Sequence, residues 1–360
     1  MTRTVRPKSS KRCVERVFVP LFGAPCGLKR PFSMFRTHRS RVRGLCRARA
    51  QQIGEVQQVE RRGVQPQLLI VQPLINLLRD RLLSHDLIQM DEATVQVLKE
   101  PGKTAQSKSY LWLQRGGPPD RPVLLYDYDP GRGAGVPKRL LEGFAGTLQT
   151  DGYDGYNAVV AVNNLTHLGC FAHARRKFDE AIKAQGKQPR LGLAQQGLAL
   201  IGSLYGVEKA VRTATPEERY IYRLEHARPI ADQLRAWLDQ SLPQVPPQMA
   251  TGKALNYLHN EWTKLIRYLD DGRLAIDNNR AENAIRPFVI GRKNWLFSDS
   301  VRGVKASANL YSLIETAKAN GLEPYAYLRR VFTELPKAGT VEAIEALLPG
   351  NIDMNQISLE

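Results

Sequence analysis

The sequence of 360 residues contains no apolar run of roughly 18 residues or more, the length that a membrane-spanning helix needs. Its N-terminus also lacks a charged region followed by an apolar stretch and a small-residue cleavage site, so we predict neither a membrane span nor a secretion signal. Only four cysteines occur, Cys13, Cys26, Cys46 and Cys170, and no two of them form a C-x-x-C pair. This scarcity argues against a disulfide framework and against a structural zinc site of the usual spacing. We therefore expect a soluble, intracellular protein with one large domain and an insertion, or with two domains.

Acidic residues are scarce in segment 1–64, where 16 Lys and Arg accompany only Glu15, Glu55 and Glu60. The segment therefore carries +13 of the formal net charge of +17. One interpretation is a basic arm that neutralises DNA phosphates. The alternatives are a disordered, solvated tail and a run of non-native residues introduced by an upstream start or a shifted reading frame.

Regular hydrophobic patterns begin at about Gln65, where leucines recur at helical spacing up to Leu83. In chain order the next predicted elements are strands at 87–98, 109–114 and 122–128, a helix at 137–144, strands at 146–150 and 167–170, and a helix over 172–178. With a helix connecting the last two strands, the order is three strands, helix, strand, helix, strand, helix, which is typical of a ribonuclease H-like α/β fold. We predict a mixed five-stranded sheet with flanking helices, in which the first and fourth strands are adjacent and central.

No strand pattern occurs between Gln185 and Asp271, where apolar stripes predict an all-helical insertion. The segment Thr215-Pro-Glu-Glu218 is a start signal for one of its helices, because a capping Thr precedes Pro at the first helical position. Two further helices are predicted at 306–320 and 324–332. The predicted organisation is a basic segment over 1–64, an α/β domain over 65–184 and 272–300, a helical insertion over 185–271, a C-terminal helical element over 301–335 and a tail over 336–360.

Three carboxylates lie on elements that the predicted fold can bring together. Asp91 lies within the first strand, Asp151 at the end of the fourth, and Glu282 on a late helix. They converge if the first and fourth strands are neighbours and the helix packs beside them. Facing carboxylates are costly unless a cation neutralises them, and hard oxygen ligands suit Mg²⁺ or Mn²⁺. The sequence therefore predicts a site for two metal ions of the kind that serves phosphoryl transfer.

The helix that carries Glu282 is predicted to be short. Asn278 or Asn279 can cap its start, and Pro287 ends it about two turns later. A basic and aromatic run follows the glutamate, consisting of Arg286, Arg292, Lys293 and Trp295. We interpret the cations as phosphate contacts and the Trp295 ring as a platform for a base, with core packing of that ring as the alternative.

Six segments together resemble the DDE transposase of the insertion sequence 66 family. They are Asp91–Leu98, Ser109–Trp112, Leu148–Tyr153, Cys170–Phe178, Asn278–Glu282 and Gly291–Phe297, and the match extends from about Gln65 to Phe332. The resemblance implies that Asp91, Asp151 and Glu282 are the catalytic, metal-binding acids, with a helical insertion before the glutamate. It also implies that Cys170-x-x-His173 is a structural signature of the family.

The resemblance further implies metal-dependent nicking at the ends of an insertion sequence, which frees a 3′ hydroxyl for attack on target DNA. Asp91 and Asp151 would bind metal, and Glu282 would hold the second ion. The implied partners are DNA of the element's ends and of the target, further copies of the chain, and accessory proteins of the same element. The implied location is the bacterial cytoplasm, at the nucleoid.

The chain departs from the family pattern at Ala93, Phe171 and Asn283, and none of these changes removes an acid. Family members also carry a longer N-terminal portion with oligomerisation and DNA-recognition elements, which segment 1–64 does not resemble. One alternative is therefore a truncated, transposition-defective remnant that binds DNA or transposase subunits without recombining. Another is a nuclease that does not prefer element ends.

Cys170 and His173 allow two interpretations. They could form half of a metal site, but no partners with suitable spacing occur in the sequence. The other interpretation is structural, with a packed cysteine and a hydrogen-bonded histidine that hold the sheet to its helix.

Overall fold

The computed structural model describes residues 66–186 and 192–353. The predictions for segment 1–64 lie outside these residues. The described residues divide into two compact units, one within Arg79–Tyr311 and one that combines residues 66–78 with residues 312–353. All strands of the described chain and all candidate site residues lie in the unit Arg79–Tyr311.

The sheet is arranged around one long strand, β1. In chain order the strands are β1 (Leu87–Lys99), β2 (Lys108–Gly116), β3 (Val123–Asp129), β4 (Thr147–Gln149), β5 (Thr166–Leu168) and β6 (Ser298–Ser300). Their order in the sheet is β3-β2-β1-β4-β5, and β6 pairs with the far end of β1. β1 runs antiparallel to β2 and parallel to β4, which confirms the predicted adjacency of the first and fourth strands. The sheet is mixed as predicted, but the expected number of five strands is wrong because β6 adds a sixth.

Helices make up most of the remaining described chain. They are α1 (Pro66–Leu83), α2 (Gly135–Leu140), α3 (Asn157–Val162), α4 (Phe171–Lys183), α5 (Leu193–Ala210), α6 (Pro216–Tyr222), α7 (Arg228–Ser241), α8 (Ala250–Ile266), α9 (Asn279–Trp295), α10 (Val301–Ala319), α11 (Pro324–Glu334) and α12 (Val341–Glu345). A π-helical segment, Arg223–Ala227, joins α6 to α7. None of the helices in the described ranges is long and apolar enough to cross a membrane.

The helices between β5 and α9 bury a core of their own. It includes Phe178, Ile201, Leu204, Leu234, Leu238 and Leu258, from α4, α5, α7 and α8. The predicted start signal of α6 is confirmed, since Thr215 Oγ1 accepts the backbone N–H of Glu218 at 3.2 Å and the Glu218 carboxylate accepts the N–H of Thr215 at 2.9 Å. Between β5 and β6 the described chain contains no strand, so this region is helical as the apolar stripes predicted.

Helix α9 packs on the face formed by β1 and β2. Its buried residues Ala281, Ile285 and Phe288 join a cluster with Val95, Leu111 and Leu113. All six side chains are at most 5% exposed. Because burial of apolar surface contributes about 25 cal/mol per Å², the packing of α9 on the sheet is strongly stabilising. The packing fixes α9, and with it Glu282, against the central strand.

The prediction that Pro287 ends this helix is wrong, because α9 continues well beyond it. Ile285 and Phe288, on either side of the proline, are buried against the sheet, and this packing outweighs the cost of one lost backbone hydrogen bond. The Tyr126 hydroxyl donates to the carbonyl of Ala284 at 2.5 Å and adds a hydrogen bond beside the proline. Tertiary contacts therefore carry the helix through a residue that would end an isolated one.

Candidate active site

Two buried glutamines fix the register of the strands that lead to the aspartates. Gln89 on β1 is the Cα partner of Gln149 at the end of β4, and its side-chain amide donates to the Gln149 side-chain carbonyl at 2.7 Å. Asp91 and Asp151 each lie two residues beyond this pair, in the same direction, because β1 and β4 are parallel. Side chains two residues apart on a strand share a face. The register therefore brings both carboxylates to the same edge, just beyond the end of β4.

Asn278 anchors the start of the helix that carries the third carboxylate. Its side-chain amide donates to the carbonyl of Met90 at 2.8 Å, and its backbone N–H donates to Cys170 Sγ at 3.2 Å. Asn278 occupies the N-cap position of α9 but its side chain makes no capping hydrogen bond, and Asn279 is the first residue of the helix itself, so the predicted capping by Asn278 or Asn279 is wrong. The side chain instead ties α9 to β1. Glu282, one turn further along α9, is thereby held within electrostatic range of Asp91.

The structure thus brings Asp91 within electrostatic range of both Asp151 and Glu282. Burial and the negative charges of Glu92, Asp151 and Glu282 raise the pKa of the Asp91 carboxyl to about 7. The backbone N–H of Glu92 donates to Asp91 at 2.8 Å and lowers this pKa, but does not offset the other effects. A cluster of this kind is costly unless protons or cations neutralise it.

The donor set at this site fits a hard divalent cation. Its ligand atoms are carboxylate oxygens, the type that Mg²⁺ and Mn²⁺ prefer. Glu282 Oε1 is buried and accepts no hydrogen bond from the described residues, whereas Oε2 lies 3.3 Å from the guanidinium of Arg176. A buried carboxylate oxygen without a donor costs free energy and is available as a ligand atom.

Glu92 is a further buried carboxylate at this site, and it is not among the site residues predicted from the sequence. Its side chain accepts hydrogen bonds from Arg132 Nε at 2.7 Å and from the Tyr156 hydroxyl at 2.8 Å. The Arg132 guanidinium carbon lies 3.9 Å from the centre of the Tyr153 ring, and the Tyr153 backbone N–H donates to Asp151 at 3.0 Å. The network therefore connects Glu92 to the loop that carries Asp151. The repeated Asp-Gly-Tyr of residues 151–156 supplies both tyrosines of this network, and it is the sequence signal that could have indicated the network.

The predicted DNA-contacting residues are spread along α9 beyond Glu282. They are Arg286, Arg292, Lys293 and Trp295. Because α9 is continuous, a rise of about 1.5 Å per residue puts Trp295 roughly 20 Å from Glu282 along the helix axis. Arg286 lies only one turn from the glutamate and is exposed, as is Lys293 further along.

Two residues of this group already have protein partners. The Arg292 guanidinium donates to the hydroxyl of Thr94 on β1 at 2.7 Å, and it also bonds the backbone carbonyl of that residue. The Trp295 ring packs edge to face against Phe288, with ring centres 5.5 Å apart. Arg292 and Trp295 therefore hold α9 against the sheet in this structure, and their contact with DNA stays a prediction.

Cys170 and His173 begin α4 and face the start of α9. Cys170 is buried and accepts the N–H of Asn278, while His173 Nδ1 lies 3.6 Å from Glu282 Oε1. Sequence spacing gave no third partner for this pair, because Glu282 is remote in sequence and becomes a neighbour only through the packing of α9. The sulfur, the imidazole nitrogen and the carboxylate oxygen lie within 4.8 Å of one another.

Fold and site together define a class of protein, an α/β protein with a cluster of carboxylates at the edge of a mixed sheet. Residues 57–306 match the family described as Transposase IS66 family, and residues 312–349 match the IS66 C-terminal element. The first match alone covers more than half of the chain. The chain therefore belongs to the IS66 transposase family.

Three similar proteins come from Sinorhizobium fredii (strain NBRC 101917 / NGR234), and each is described as an uncharacterized protein. The chain is 31% identical over 301 residues to y4jD, which covers 80% of this chain and 58% of the relative. It is 32% identical over 299 residues to y4qI, which covers 80% of this chain and 54% of the relative. It is 27% identical over 278 residues to y4hP, which covers 73% of this chain and 50% of the relative. The chain thus matches half to three fifths of the length of these relatives.

Proposed function

We propose that this chain is a DDE transposase that cuts and joins DNA strands with the help of divalent cations. The observation that carries this proposal is the gathering of Asp91, Asp151 and Glu282 at one edge of the sheet, where burial, and after it the charges of neighbouring carboxylates, raise the pKa of Asp91 to about 7. Membership in the IS66 transposase family supports the same conclusion. Carboxylates with only local structural roles would have no reason to lie together at one site.

The proposed fold is ribonuclease H-like, and the strand order β3-β2-β1-β4-β5 with β1 parallel to β4 supports it. In this proposal the catalytic domain consists of residues 65–184 and 272–300. The helical insertion 185–271 interrupts it before Glu282, and a C-terminal helical element follows over 301–335. The insertion is supported by a hydrophobic cluster that its helices share with α4.

Asp91, Asp151 and Glu282 are the residues that would hold Mg²⁺ or Mn²⁺, as two ions. When bound, such ions activate the attacking oxygen and stabilise the leaving oxygen in phosphoryl transfer. Asp91 must give up its proton to act as a ligand, because a pKa of about 7 leaves much of it protonated at neutral pH. Arg176, 3.3 Å from Glu282 Oε2, restrains the third carboxylate.

The proposed substrates are DNA of the element's ends and of the target. Arg286 and Lys293 are exposed on the helix that carries Glu282, and we assign them to phosphate contacts, which position DNA without reading its sequence. Arg292 and Trp295 would serve mainly by holding that helix on β1, with base stacking on Trp295 as its further role. Other copies of the chain and accessory proteins of the same element complete the assembly, at the nucleoid in the bacterial cytoplasm.

The test is Mg²⁺- or Mn²⁺-dependent nicking and strand transfer on DNA that carries the element's own ends. A second substrate with a pre-cleaved end isolates the joining step from end cleavage. The full chain is compared with Asp151→Asn and Glu282→Gln. Each substitution removes one anionic ligand at nearly constant volume, and we expect each to reduce both steps by at least about a thousandfold, or roughly 4 kcal/mol of activation free energy.

Glu142→Gln is the matched control, because Glu142 is exposed and precedes β4, whereas Asp151 follows the opposite end of that strand. It should retain the parent rate. Retention of activity in Asp151→Asn or Glu282→Gln would overturn the assignment of the acids. Absence of metal-dependent activity in the unaltered chain on both substrates would instead overturn catalysis by this chain.

A further inference from the structure

Cys170, His173 and Glu282 form a cluster of three different ligand types that the proposed reaction does not use as a unit. Cys170 and His173 lie at the start of α4, and Glu282 lies on the first turn of α9. Their Sγ, imidazole nitrogen and carboxylate oxygen all lie within 4.8 Å of one another. Sulfur and imidazole ligands favour borderline and soft cations such as Zn²⁺ and Co²⁺ over Mg²⁺.

Two of the three ligand atoms are buried and have no hydrogen-bond partner among the residues that the structure describes. These are His173 Nδ1 and Glu282 Oε1, and they lie 3.6 Å apart, too far for a hydrogen bond between them. Buried polar atoms are normally satisfied, and a pair left open at one point indicates a group that binds between them. The third ligand atom, Cys170 Sγ, does have a partner, because the N–H of Asn278 donates to it at 3.2 Å.

The spacing of the atoms agrees with the size of a tetrahedral site. With bonds of about 2.3 Å to sulfur and about 2.0 Å to nitrogen or oxygen, tetrahedral angles separate two ligand atoms by about 3.3 to 3.6 Å. The observed 3.6 Å between His173 Nδ1 and Glu282 Oε1 is about 0.3 Å longer than the separation expected for a nitrogen and an oxygen ligand. No separation among the three ligand atoms exceeds 4.8 Å, so a shift of about 1 Å, within the reach of one side-chain adjustment, brings them to tetrahedral spacing.

The charges around the cluster are mixed. Glu282 and Asp151 place negative charge near the His173 imidazole, whereas Arg176 and Lys177 place positive charge there. Burial raises the pKa of the Cys170 thiol to about 12, so the thiol carries a proton in the metal-free protein. Binding of a cation by this sulfur therefore displaces that proton to solvent.

We propose that Cys170, His173 and Glu282 bind one transition-metal cation of the Zn²⁺ class, with a fourth position open. This site shares Glu282 with the proposed Mg²⁺ centre. The binding of the cation does not depend on the proposed function, and only its effect on DNA cleavage rests on it. A cation held here engages Glu282 Oε1 and withdraws it from the catalytic ions. Zn²⁺ would therefore inhibit Mg²⁺-dependent DNA cleavage.

The direct test uses Co²⁺ as a probe and needs no DNA. Chelator-treated full-length chain is titrated with Co²⁺ and followed by absorption, because thiolate bonded to cobalt gives a charge-transfer band in the near ultraviolet and four-coordinate cobalt gives intense visible bands. We expect one equivalent to bind with both features. Cys170→Ser should abolish the charge-transfer band, and His173→Gln should weaken binding at least tenfold, since loss of even an indirect ligand contact costs about 10–100-fold.

Two control variants make the result specific to this cluster. A variant with Cys13, Cys26 and Cys46 all replaced by Ser should retain the band, and His167→Gln should retain the affinity, because the proposal assigns no metal ligand to any of these residues. Circular dichroism checks that each variant is folded. If the band survives Cys170→Ser, or disappears with the other three cysteines, the proposed site is wrong. A folded His173→Gln variant with parent affinity would overturn it as well.

A second measurement connects the site to activity. The Zn²⁺ concentration for half-inhibition of Mg²⁺-dependent nicking is determined for the parent and for Cys170→Ser, each relative to its own zinc-free rate. We expect Cys170→Ser to raise that concentration at least tenfold, and an unchanged value would sink the proposed competition. Normal Mg²⁺-dependent cleavage without cobalt binding would overturn this site and leave the proposed function intact. Cobalt binding without cleavage would overturn the proposed function and leave this site intact.

Discussion

Replacement of Arg223 by methionine should cost this protein much of its stability, although Arg223 lies outside the candidate active site. The side chain is 1% exposed and opens the π-helical segment between α6 and α7. Its guanidinium makes two bonds to the Glu208 carboxylate, at 2.8 and 2.7 Å. It also donates to the carbonyls of Tyr268, Asp271 and Leu274 at 2.7 to 3.0 Å. One side chain thus satisfies a largely buried carboxylate and three backbone acceptors.

The size of the effect follows from what the substitution leaves behind. Breaking a buried ion pair by removal of one partner costs about 3–5 kcal/mol, because the other charge stays buried without compensation. Each buried carbonyl that loses its donor adds up to about 1–3 kcal/mol, while methionine restores part of the packing and water reaches some of these groups. We expect a loss of about 4 kcal/mol in the free energy of unfolding. At about 2–4 °C per kcal/mol this lowers the melting temperature by about 10 °C.

The assay is urea unfolding followed by far-ultraviolet circular dichroism, with Arg235→Met as the matched control. Arg235 pairs with Asp239 at 2.6 Å across one helical turn, but both side chains are substantially exposed. Exposed pairs of this kind contribute about 0.3–0.5 kcal/mol. A double variant, Arg223→Met with Glu208→Gln, should recover part of the loss because no buried charge remains. The reasoning fails if Arg223→Met costs less than about 1 kcal/mol or no more than Arg235→Met.

Two further predictions concern other parts of the same unit. Burial and the charges of Lys264 and Arg267 lower the pKa of His167 from 6.5 to about 4. The unfolded chain therefore takes up a proton at higher pH than the folded one, and stability falls as pH drops from 6.5 to 4, by up to about 3 kcal/mol. His167→Gln should flatten this part of the profile of urea midpoint against pH, and a profile parallel to the parent's would contradict it. Gly146 has φ +149°, and an added Cβ would meet the Asp86 carbonyl at 2.5 Å. Gly146→Ala should therefore cost at least about 2 kcal/mol in thermal unfolding, clearly more than Gly143→Ala, whose Cβ meets nothing within 4 Å. Equal losses at both glycines would show that the contact with Asp86 has no effect.

The part of the fold that sequence could predict is the part governed by local pattern. β1, β2 and β3 follow from runs of β-forming residues between turn signals, and the start of α6 follows from Thr215 and Glu218. The adjacency of β1 and β4 followed from the order of strands and helices, because few topologies fit that order. The convergence of Asp91 and Asp151 was then a consequence of parallel register.

What the sequence could not predict depends on contacts between remote segments. Pro287 signals a helix end, and only burial of its neighbours against the sheet reverses that signal. The three residues of β6 are too few to give a pattern, and they become a strand by pairing with β1. Asn278 has the sequence context of a helix cap, yet its amide bonds Met90 because that carbonyl is buried and needs a donor.

Asn278 also explains why the two proposed cation sites share one glutamate. Its amide fixes α9 to the strand of Asp91, and its N–H fixes α9 to Cys170, so Glu282 is held near both at once. Substitution of Glu282 therefore affects both proposed sites and cannot distinguish them. Asp151 and Cys170 can, because each belongs to one site only. Asp151→Asn should abolish Mg²⁺-dependent cleavage and retain the cobalt charge-transfer band, and Cys170→Ser should lose the band and its sensitivity to zinc. If both variants lose both properties, the two sites are a single one, and the shared glutamate is not the point at which they compete.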